Sequence, residues 1–77
     1  MSEHQYTILL EPDPDDGSYT VTVPALPGVV TQGATYDEAL AMAREAIQCH
    51  IEGLLADGEA IPEERERLRI ATISVAA

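Results

Sequence analysis

The stretch PALPGVVTQGATYDEALAMAREAIQCHIEGLL, from Pro24 to Leu55, joins a Pro/Gly corner to a short extended run and then to a long amphipathic segment. From Leu40 the apolar residues recur as Leu40, Ala43, Ile47, Ile51 and Leu54. At about 100° per residue this spacing collects them on one side of a helix, with Glu38, Glu45 and Glu52 on the other. Thr35 and Glu38 fit a capping box, the threonine oxygen accepting from a first-turn N–H while the glutamate reaches back to the N–H of the cap residue. The helix is therefore expected to begin near Thr35. It should stop near Asp57, because Gly58 can adopt the left-handed conformation and Pro62 forbids continuation. Before the helix, Pro24 cannot donate to a sheet ladder, and Pro24, Pro27 and Gly28 turn the chain sharply. Leu26, held between the prolines, is expected to plug into the core, with a short strand from Val29 to Gln32 and a bend at Gly33.

On the N-terminal side, Gln5 to Glu11 alternates Tyr6, Ile8 and Leu10 against Thr7, Leu9 and Glu11, the period of two expected of a strand. Tyr19 to Val23 alternates in the same way, with Tyr19, Val21 and Val23 on its apolar face. Between them PDPDDGS, Pro12 to Ser18, concentrates residues that turn chains. An antiparallel hairpin under the helix follows. After the helix, Glu63 to Arg69 reads as a solvated connection holding three of the four arginines. Leu68 and Ile70 are in phase with each other and out of phase with Ile73 and Val75, so a last strand from about Arg69 to Val75 would be bulged or apolar on both faces, as at a subunit contact. The expected fold is α+β in the order β-β-β-α-β: a three-stranded antiparallel sheet, one long helix packed on one face and a C-terminal strand, all within a single domain over residues 1–77.

A domain of 77 residues buries only about 60% of the surface its unfolded chain exposes. With no Trp, no Phe and three tyrosines, Tyr6, Tyr19 and Tyr36, its core is thin, and a homodimer or higher homo-oligomer is expected. One cysteine, Cys49, excludes an internal disulfide, and no signal peptide or membrane-length apolar run is apparent, so the expected location is cytoplasmic. Fourteen acidic residues against four arginines give a formal charge of −10. Such a charge disfavours direct binding to nucleic-acid phosphates, whose affinity comes from cations displacing counterions. It favours either simple solubility or encounter with a basic partner.

The densest carboxylate group is Asp13, Asp15 and Asp16. An EF-hand loop does not fit there: a start at Glu11 puts Asp16 at the glycine position and Thr22 at the bidentate glutamate position, and a start at Pro12 puts prolines at ligand positions. The group reads as a solvated hairpin tip or an acidic partner contact. Cys49 and His50 are adjacent and so about 100° apart on the helix, which separates them as a nucleophilic pair. With His4 the only other imidazole, zinc ligands are too few. The strand interiors lack the converging carboxylates of a metal nuclease, and there is no phosphate-binding glycine loop, G-x-S-x-G or H-E-x-x-H. Neither catalysis nor a cofactor or metal is expected.

Taken in order, the Y-x-hydrophobic strand, the acidic D-D-G hairpin, V-P-x-L-P-G, the G-x-T-x-x-E-A helix start and D-G-x-x-I-P-x after the helix resemble the HicB antitoxin family over Tyr6 to Glu63. Its structural motif positions here are Pro24, Leu26, Pro27, Gly28, Thr35 and Glu38. The resemblance implies a partial RNase-H-like fold without the catalytic carboxylates. It also implies a partner, a small basic HicA-like toxin that cleaves mRNA, whose RNA-binding surface the antitoxin covers. In that setting Asp13, Asp15 and Asp16 become the expected partner-binding residues, because the hairpin tip projects. Many members of the family continue into a DNA-binding segment, and this chain is expected to be a short form without one. The alternative is a stand-alone interaction domain of the same fold with no toxin partner; a degenerate RNA-binding or nuclease domain is the third reading.

Overall fold

Alternating side chains and a turn built from Asp and Gly form the first hairpin of the computed structural model, which describes residues 4–64 and 68–77. Strand β1 (Leu9–Pro12) pairs antiparallel with β2 (Tyr19–Thr22), with Leu10 opposite Val21, and β2 pairs antiparallel with β3 (Val30–Gly33), with Val21 opposite Thr31. Helix α1 (Tyr36–Ala56) follows at once, giving a sheet of order β1-β2-β3 with one helix. The expected three-stranded antiparallel sheet and its helix are present.

The first strand is shorter than its alternation predicts, since pairing begins at Leu9 and not at Gln5. Its partner strand runs out at that point. Val23 donates its N–H to the Val29 carbonyl (3.3 Å), on the β3 side and in register with that pairing, and Pro24, next in line to face the lead-in to β1, has no N–H to offer a ladder. Phase along the strand is nevertheless kept: Ile8 and Leu10 pack against Val21 beneath the helix, and Tyr6 and Ile8 against Val23.

The core has two linked parts. Val21, Ala39 and Ala43 form the first, where helix meets sheet. Val23, Leu26 and Val29 form the second, closed by Tyr6, Ala46 and Ile47. Leu26 is fully buried, as expected of a plug. Its loop is held by two short backbone bonds, Leu26 N–H to the Val23 carbonyl (2.9 Å) and Val29 N–H to the Leu26 carbonyl (3.1 Å). Gly28, at φ 91°, makes the turn in a region that side chains resist.

The buried helix face keeps most of the stripe the apolar spacing predicts, with Ala43 buried and Ile47, Ile51 and Leu54 half-buried, and departs from it at Leu40. Leu40 is 37% exposed, while Ala39 and Ala43 are the buried helical residues. Close approach is the reason. A Cβ placed on Gly33 would lie 2.6 Å from Ala39 Cα and 2.9 Å from the Glu38 carbonyl carbon, and would also meet the Ala39 amide nitrogen. Helix and β3 touch backbone to backbone there, so small residues occupy the contact and the larger Leu40 is turned aside.

The second correction concerns the C-terminal strand. Among the described residues none from 68 to 77 is in a strand, and Ile70, Ile73 and Val75 are 78%, 81% and 85% exposed. A strand exists only where a neighbour supplies N–H and C=O partners, and no strand of the described chain pairs with this segment. Arg65 and Arg67, from the basic group read in the connection, lie outside the described residues.

Candidate partner-binding surface

The hairpin between β1 and β2 is stiffened by its own aspartates. Asp13 N–H donates to the Ser18 carbonyl (2.7 Å), and Gly17, at φ 75°, donates back to the Asp13 carbonyl (3.0 Å). Asp13 Oδ1 accepts from the Asp15 N–H (2.9 Å), the Asx-turn that aspartate forms with the backbone two residues on. Asp16 Oδ1 accepts from both the N–H (2.9 Å) and the hydroxyl (2.7 Å) of Ser18. The hydroxyl bond, and then the backbone bond, stabilise the charged form and hold the Asp16 carboxyl below the usual carboxylate range. All three aspartates are exposed. The tip is thus an ordered loop presenting three carboxylates to solvent, as its composition predicts, and the geometry alone assigns it no partner.

The motif residues shape the corner before β3 and the start of the helix. Pro24, Pro27 and Gly28 are exposed around the buried Leu26 and form the corner that returns the chain to β3. Thr35 caps the helix, its Oγ1 accepting from the Glu38 N–H (3.1 Å). Glu38 reaches back one residue further than a capping box requires, accepting from Ala34 N–H (3.2 Å) where Thr35 was expected. At the other end Gly58, at φ 70°, donates to the Leu55 carbonyl (3.1 Å) and Glu59 to the Leu54 carbonyl (2.9 Å), the paired bonds of a Schellman stop.

One contact was not legible in the sequence. Glu64, expected in a solvated connection, is half-buried and grips Thr7 with both oxygens: Oε1 accepts from the Thr7 N–H and Oε2 from its hydroxyl, each at 2.7 Å. Beside it the Tyr6 hydroxyl donates to the Pro62 carbonyl (2.5 Å). Burial, and then the charge of Glu63, push the Tyr6 phenol up. The partners are 56 and 57 residues apart in sequence, beyond the reach of any local pattern. Among the described residues no group of three or more His, Cys, Asp or Glu is placed to hold a metal ion, Cys49 is exposed, and no polar or charged residue is buried.

These features define a small acidic α+β domain whose described ionisable groups lie at or near its surface. The family model for HicB-like antitoxins of bacterial toxin-antitoxin systems matches residues 6–73, and the chain belongs to that family. It is similar to a UPF0150 protein of Thermoplasma acidophilum, 48% identical over 78% of this chain and 86% of the relative. A UPF0150 protein of Synechocystis is 41% identical over 79% of this chain and 76% of its own length. Antitoxin HicB 1 of Photorhabdus laumondii is 41% identical over 75% of this chain, which spans 37% of that longer protein.

Proposed function

We propose that this chain is a non-enzymatic antitoxin that binds a basic, HicA-type mRNA-cleaving toxin and inhibits it by covering the surface that would hold RNA. Family membership supplies the antitoxin role, and the observation that carries the partner's chemistry is the acidity, a formal charge of −10 with an ordered tip of exposed Asp13, Asp15 and Asp16. A nuclease that grips phosphates presents cations, and an acidic protein competes for them by electrostatic complementarity while excluding RNA sterically. The β-β-β-α order is compatible with a partial RNase-H-like ancestry, and such a partner would be met in the cytoplasm. Among the described residues no helix is long and apolar enough to cross a membrane.

Co-expression with a basic protein encoded beside this chain tests the proposal. Growth arrested by that neighbour should be restored, and the purified complex should weaken as salt is added. A neighbour that is not toxic, or toxicity unrelieved by this chain, would leave the stand-alone interaction domain as the better reading. A complex indifferent to salt would overturn the electrostatic mechanism.

A further inference from the structure

We propose that residues 68–77 become a strand by pairing with a second copy of this chain, each copy laying the segment along the outer edge of the other's β1. The inference stands apart from the toxin reading and rests on the segment's exposure, its starting point, its side-chain pattern and its charge.

Ile70, Ile73 and Val75 present β-branched apolar side chains almost wholly to water, a composition suited to a pleated, covered surface. The radius of gyration is 14.8 Å, against about 11.5 Å for a compact domain of this length. Every residue from 68 to 77 is exposed, so the segment is not buried against its own sheet.

The starting point is fixed by the Glu64 carboxylate on Thr7, two residues before β1. Among the described residues the sheet order β1-β2-β3 leaves the outer edge of β1 without a partner strand, and an unpaired edge is a template for another strand. A two-fold axis beside β1 would bring each copy's segment to the other's open edge, closing both edges with identical contacts.

Pattern and charge fit this occupant. A strand added there would lie beside Ile8 and Leu10 on the helix side and beside Leu9 on the other, so both of its faces would meet apolar neighbours. That matches a segment whose Leu68 and Ile70 are out of phase with Ile73 and Val75. Of the fourteen acidic residues only Glu3 and Glu66 fall outside residues 4–64, leaving twelve there against the single Arg44, whereas residues 68–77 contain Arg69 and no Asp or Glu. The segment is the part of the chain that an acidic second copy repels least.

Sedimentation equilibrium of the full chain over a wide concentration range, with hydrogen exchange at the two extremes, tests this. Dimer mass should give way to monomer on dilution, and the amides of residues 70–75 should be protected only in the dimer. Ile73→Pro removes a ladder N–H from a residue that is 81% exposed in the monomer, and Ile70→Asp adds a charge to the new interface. Both variants should sediment as monomers with unchanged helical circular dichroism. A wild-type chain that is monomeric throughout, a dimer that survives Ile73→Pro, or protection of residues 70–75 at monomer mass would each overturn the proposal, the last by showing the segment folded on its own sheet.

Discussion

Gly33 is where one atom has the largest consequence. With Ala39 Cα 2.6 Å from where a Cβ would stand, Gly33→Ala must push the helix off β3. Overpacking of this kind typically costs about 1–3 kcal/mol, and urea unfolding should register it as a lower midpoint. The sequence marks Gly33 as a bend, but a glycine needed for backbone flexibility and one needed for close approach read alike. Only the packing distinguishes them. Asp16 offers a second residue-level test. Because the Ser18 bonds lower its pKa in the folded chain, they favour folding at pH values above the ordinary carboxylate pKa, and that contribution is lost as pH falls through the lowered value. Ser18→Ala removes the hydroxyl bond and should move the Asp16 titration upward, towards the ordinary carboxylate range, as followed by NMR of its side-chain carboxyl; an unmoved titration would mean that the Ser18 hydroxyl does not set it.

Among the elements, α1 was the most legible, since Thr35 caps its start and Gly58 its end, as expected. Thr35→Ala removes the bond to the Glu38 N–H and should cost about 1 kcal/mol, seen as a lower thermal midpoint with the sheet register unchanged. The helix face was less legible. Apolar spacing weighs Leu40 above alanine, yet a helix lying against a glycine-bearing strand buries its smallest residues first, here Ala39 and Ala43. Strand phase could be read because alternation needs no knowledge of the partner: Ile8, Leu10, Tyr19 and Val21 all meet the core as predicted. Strand length could not, because it depends on where the neighbouring strand stops. The same limit applies to residues 69–75, whose β-branched composition favours a strand without naming the chain that would complete its ladder.

For the whole molecule, charge is the property with the most direct functional test. Replacing Asp13, Asp15 and Asp16 together by Asn should weaken the toxin complex and flatten its salt dependence, mainly by slowing association, and should leave the fold intact, since all three side chains are exposed and an Asn Oδ1 can accept the turn bonds that the Asp13 and Asp16 carboxylates accept. Equal association rates for the wild-type and substituted chains would move the toxin contact away from the hairpin tip. The tip itself was visible in the sequence as turn chemistry; its role was not, because exposed aspartates in a loop and aspartates awaiting a basic partner have the same composition. The grip of Glu64 on Thr7 has a practical corollary. It gathers the lead-in to β1 and the exit from the helix at one end of the strand, while Asp13 to Gly17 lie past the other end. Six residues of extended chain separate Thr7 from Asp13, about 20 Å at the usual rise per residue. An affinity handle or fluorescent reporter joined ahead of Thr7 would therefore sit at the opposite pole from the aspartates, and immobilisation through it would leave them free to meet an incoming protein.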